Sequence, residues 1–84
     1  MYDLYFTVRS VTRGQRGREL LTGAGIRCSL SRAPRAIAPQ GCAYALALRR
    51  ADGPRAAALL EQAGVSVEGR WLRDPAEGFA RVGP

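Results

Sequence analysis

Leu20-Leu21-Thr22-Gly23-Ala24-Gly25-Ile26 returns further along the chain as Leu59-Leu60-Glu61-Gln62-Ala63-Gly64-Val65. The shared pattern, Leu-Leu-x-x-Ala-Gly and then a β-branched residue, reads as a helix end running into a strand. The paired Leu residues close an apolar helical face, the Gly supplies a left-handed C-cap, and Ile or Val opens the strand. Two copies of one junction divide the chain into two halves of the same design.

Each half begins with a strand. Leu4, Phe6 and Val8 alternate with Tyr5, Thr7 and Arg9. Tyr44, Leu46 and Leu48 alternate with Ala43, Ala45 and Ala47, apolar on both faces as a central strand is. Ser10 or Thr12 caps a helix that runs to about Gly23. It carries Gly14 and Gly17, each costing about 1 kcal/mol relative to Ala, which points to a close approach to the sheet or a late helix start. Asp52 or Gly53 caps the second helix, with Pro54 in its first turn and residues 56–63 propagating it. Residues 26–31 and 65–72 supply the remaining strands. The order βαββαβ with right-handed crossovers predicts an α+β, ferredoxin-like fold: a four-stranded antiparallel sheet with two helices on one face. Residues 1–73 make this single domain. Residues 74–84, with two Pro and two Gly, read as a C-terminal tail docked by Phe79.

A chain of 84 residues holds one domain with a thin core, and its 46% hydrophobic content is not that of a disordered segment. The longest apolar run, 42–48, is too short to span a bilayer. Two cysteines and no visible signal segment predict a cytoplasmic protein rather than a secreted disulfide scaffold. All 13 basic residues are Arg, against 7 acidic ones, for a net charge of +6. Such a field attracts anions (nucleic acid, phosphate, a thiolate substrate, an acidic partner) without choosing among them. The absence of His removes Ser-His-Asp and Cys-His catalysis. Two Cys with carboxylates are an unusual zinc set, so neither metal nor cofactor is expected. Neither a Walker phosphate loop nor a Rossmann glycine fingerprint is present.

The two cysteines differ. Cys28 shares strand parity with Ile26 and Leu30, which turns it toward the core, where thiols are inert. Cys42 stands at a loop–strand junction, after a segment stiffened by Pro34 and Pro39 and charged by Arg32 and Arg35. Backbone N–H groups and Arg at such a junction favour the thiolate, the nucleophilic form. In a hairpin Cys42 lies opposite Arg32 or Ala33, several residues along from Cys28. At roughly 3.3 Å per residue this exceeds the about 7 Å a disulfide tolerates between Cα atoms.

The run Pro34-Arg35-x-Ile37-x-x-x-x-Cys42, followed by an apolar strand ending in Arg49, resembles the selenium/sulfur carrier protein-like family, and the resemblance extends from Leu4 to about Leu72. One departure is local: Gly41 precedes Cys42 and Ala43 follows it, where the family pattern has Gly after Cys. The resemblance implies that Cys42 carries sulfur or selenium as a persulfide or perselenide. Arg35 corresponds to the Arg of the family's Pro-Arg loop; Arg32, as a second candidate for stabilising the anion, and Gly41, next to the thiol, complete the expected binding residues. The implied partners are sulfur- or selenium-transfer proteins, a persulfide donor and a thiol acceptor, and the chain acts as a carrier more than as a turnover enzyme.

Two other readings compete. RNA-recognition motifs share the βαββαβ order and carry aromatic residues on their first and third strands. Here parity sends Tyr44 toward the helices, the open face shows Ala43, Ala45 and Ala47, and only Tyr5 is well placed for stacking, which weighs against nucleic acid. The same alanines read as a flat, exposed apolar patch, as in an interaction domain, and a homodimer through the open sheet face is compatible with the carrier reading. Trp71 reads as a packing anchor.

Overall fold

The computed structural model describes residues 2–38, 43–76 and 78–83. Their order is β1 (Leu4–Val8), α1 (Val11–Gly23), β2 (Cys28–Arg32), β3 (Tyr44–Leu48), a 3-10 turn (Arg50–Asp52), α2 (Gly53–Gln62), β4 (Gly69–Asp74) and β5 (Gly78–Gly83). The result is an α+β fold with one antiparallel five-stranded sheet in the order β2-β3-β1-β4-β5.

Both helices end as the repeated heptapeptide predicts. Gly25 and Gly64 have φ of 83° and 73°. The Ile26 N–H donates to the Leu21 carbonyl at 2.8 Å and the Val65 N–H to the Leu60 carbonyl at 2.9 Å. Gly25 and Gly64 donate to the carbonyls of Thr22 and Glu61 at 3.0 and 3.1 Å, which completes a Schellman cap in each half. Leu21, Ile26, Leu60 and Val65 are all buried in the core. The halves also brace each other. Arg16 and Arg55, equivalent positions of the repeat, donate respectively to the carbonyls of Ala63 and Ala24, each at the end of the opposite helix, at 3.0 and 2.9 Å. Charge of this sign at a helix C-terminus is favourable.

Ser10 is the N-cap of α1, its Oγ accepting from the Arg13 N–H at 3.1 Å. Gly14 and Gly17 are buried within the helix and are close-approach positions. A Cβ on Gly17 would lie 2.8 Å from Leu46 Cδ1 and 3.2 Å from Leu60 Cδ2. The helices cover the sheet face formed by Leu4, Phe6, Leu46 and Leu48, with Cys28 and Leu30 packed at its margin.

Three expectations are corrected. The sheet has five strands, not four, because residues expected to form a tail turn back as β5. Asp74 Oδ1 accepts from the Ala76 N–H at 2.8 Å, Pro75 suits the turn, and Gly78 takes φ 86°. β5 then pairs with β4, with a bulge between Arg70 and Trp71. The alanines of β3 are not an exposed patch: Ala45 and Ala47 are 0% and 5% exposed. Their cross-strand neighbours are Thr7 and Tyr5 on β1 and Ser31 and Ser29 on β2. β4 is also shorter than expected, since 65–68 lead into it without pairing as strand and Val65 serves the core instead. Among the described residues, no helix is long and apolar enough to cross a membrane.

Candidate functional site

The β2–β3 connection is a hairpin whose neck is well defined. Arg32 pairs with Tyr44, and one residue further out the Ala33 N–H donates to the Ala43 carbonyl at 3.0 Å. From there the N–H groups of Ile37 and Ala38 both donate to the Pro34 carbonyl at 3.0 Å, which folds 34–38 into a tight turn. Ile37, within that turn, is buried at 8% exposure. Arg32 and Arg35 are both exposed, the first at the end of β2 and the second on the turn. The hairpin register and the hydrogen-bonded turn thus hold two cationic side chains on the limb that leads toward residues 39–42. Cys42 and Gly41, the other two residues expected at this site, lie outside the described residues.

Cys28 has the surroundings its strand parity implies. It pairs with Leu48, lies on the helix-covered side, and packs against the core while partly buried. Its thiol donates to the Arg18 carbonyl at 4.0 Å. Burial pushes the thiol pKa up, and the Thr22 hydrogen bond and the Arg18 charge offset this only in part. Cys28 is therefore a poor nucleophile near neutral pH. It starts β2, four residues from Arg32, so about 13 Å of strand separates it from the hairpin neck.

The sheet face away from the helices carries a group that sequence reasoning missed. Tyr5 and Trp71 are cross-strand partners on β1 and β4. β5 brings Phe79 edge-on to Tyr5, ring centroids 5.1 Å apart, and sets the Arg81 guanidinium 5.6 Å from the Trp71 ring. The available signal was the alternation of Phe79 and Arg81 with Ala80 and Val82 after the Asp74-Pro75 turn. On the helix side, two helices leave β4 partly uncovered. Clefts of about 460 and 320 Å³ there share Phe6 and Arg70 in their walls, and no described lining residue belongs to the 33–43 segment.

An antiparallel five-stranded sheet under two helices, with exposed arginines on the described limb of the β2–β3 connection, defines a small α+β protein. Comparison with protein families gives the more particular answer. Residues 3–72 match the family described as "Putative Se/S carrier protein-like", and the chain belongs to that family. Comparison with curated proteins and with solved structures finds no match.

Proposed function

We propose that this chain is a sulfur or selenium carrier that holds the chalcogen on Cys42 and relays it between partner proteins. One observation carries the reading: the family match spans residues 3–72, a stretch that includes Cys42. The state of the other thiol supports it, because the chain has two cysteines and Cys28 is held protonated against the core.

In the first step the Cys42 thiolate attacks the terminal sulfur of a donor persulfide. A new S–S bond forms on Cys42, the donor's S–S bond breaks, and the donor leaves as a thiolate. In the second step an acceptor thiolate attacks the terminal sulfur of loaded Cys42, takes the atom, and returns Cys42 as thiolate. No net oxidant or reductant is consumed, and selenium follows the same path through a perselenide. Arg35 and Arg32 supply positive charge that favours the attacking thiolate and the charged product, so no imidazole base is needed. The partners are a persulfide donor and a thiol acceptor in a reducing, cytoplasmic compartment, and the chain is a carrier rather than a turnover enzyme. The fold completes the reading as a ferredoxin-like unit, β2-β3-β1-β4 with two helices, extended by β5 at its β4 edge.

Loading with radiolabelled sulfur from a small-molecule persulfide tests the assignment. Cys28→Ser accepts label as the native chain does, Cys42→Ser accepts none, and Arg35→Gln loads several-fold more slowly at neutral pH. Equal labelling of Cys42→Ser and the native chain overturns it.

A further inference from the structure

We infer that the sheet face opposite the helices is a binding surface for single-stranded nucleic acid, separate from the thiol segment. Tyr5, Trp71 and Phe79, half of the chain's aromatic residues, stand on the adjacent strands β1, β4 and β5 and remain half-exposed. Tyr5 and Phe79 meet edge-to-face at an interplanar angle of 83°, so the edge of one ring covers a single flat side of the other and the pair is not stacked shut.

Arginines border the rings on the same face. Arg81 lies over Trp71 and donates to the Glu68 carbonyl at 3.3 Å. Arg73, exposed, is two residues along β4 from Trp71 and is the cross-strand partner of Phe79. Arg9, at the end of this surface, is paired with Glu68 at 2.8 Å. The net charge of +6 draws a polyanion. Charge alone accepts any polyanion, whereas rings set between guanidinium groups favour one with flat, unpaired bases. That combination is what sequence-tolerant single-strand binders use. A duplex hides its base faces, so it gains only the charge. The surface depends on β5, which supplies Phe79 and Arg81, and this is why the sequence alone shows only Tyr5 as suitably placed.

Fluorescence anisotropy of a labelled mixed-sequence 12-nucleotide RNA, the same sequence as single-stranded DNA, and the corresponding DNA duplex tests the inference on the full chain. The single strand is bound more tightly than the duplex, with affinity falling as salt rises. Response to the RNA strand only or to both single strands distinguishes an RNA ligand from a general one, and either outcome supports the surface. Phe79→Leu keeps apolar bulk, is checked for folding by circular dichroism, and weakens binding about tenfold. The exposed Arg73→Gln weakens it as well and lowers the slope of log affinity against log salt by about 0.7. Arg18→Gln, on α1, and Cys42→Ser bind as the native chain does. Absence of binding to either single strand at low salt, equal affinity for the duplex, or native affinity in both Phe79→Leu and Arg73→Gln overturns the inference. None of these outcomes bears on sulfur loading.

Discussion

The Cys28 thiol points from β2 into the space under α1, and its chemistry follows from that position. Burial outweighs the Thr22 hydrogen bond and the Arg18 charge, so the folded pKa lies above the ordinary thiol value. The sign of the linkage is definite: the folded state holds the proton more tightly. Its contribution to stability is fully present below the ordinary thiol pKa and is lost as pH rises through the elevated one. In Cys42→Ser, alkylation of Cys28 by iodoacetamide is therefore slow at pH 7.5 and accelerates only above the usual thiol range, as intact mass will show. Fast modification at neutral pH contradicts this picture. Gly64 gives a second test at this scale. A Cβ there meets nothing within 4 Å, so Gly64→Ala costs only the left-handed backbone penalty, about 1–2 kcal/mol in chemical denaturation. Both residues were legible in the sequence because strand parity and helix-end glycines are local signals. Cys42 stood out by its place at a loop–strand junction and by family resemblance, and it lies outside the described residues.

At the scale of elements, α1 shows how a weak helix former becomes a good packing element. Gly14 and Gly17 lower its intrinsic propensity yet let its axis approach the sheet. Their substitutions separate the two effects. Gly17→Ala drives a methyl against Leu46 and Leu60, both buried at 0% and 1% exposure, and overpacking of about 1–3 kcal/mol outweighs the about 1 kcal/mol gained in helix propensity. Gly14→Ala meets the Leu30 methyl groups, at the end of a half-buried side chain that can rotate aside, and is better tolerated. Thermal melts of the two variants will show Gly17→Ala lower than Gly14→Ala, and the reverse order contradicts the packing account. The helix limits and four of the strands could be read from caps and periodicity. β5 could not, because Pro75 and Gly78, the residues that build its turn, also mark a disordered tail. Its pairing is settled by β4, a partner that local pattern does not reveal.

For the molecule as a whole, a radius of gyration of 11.5 Å over 84 residues is close to the about 12 Å expected of a compact chain. The two halves cap each other's helices through Arg16 and Arg55, and the repeated heptapeptide is thus the sequence trace of an approximate twofold design. Burial of Ala45 and Ala47 was not legible, because it depends on which strands flank β3. The design divides the molecule into a helix-covered face that shelters one thiol, a hairpin end that leads to the other, and a ring-and-arginine face. The central claim is that the sheltered thiol is silent and the hairpin thiol carries the atom. Trypsin cuts after Arg27, Arg32, Arg35 and Arg49, which puts each cysteine in its own peptide. Exposure to a persulfide donor, followed by intact-mass and peptide analysis before and after a chase with an acceptor thiol, tests the claim directly. The account predicts one added sulfur, on peptide 36–49, that the acceptor removes. Added sulfur on peptide 28–32, or none on either, would contradict it.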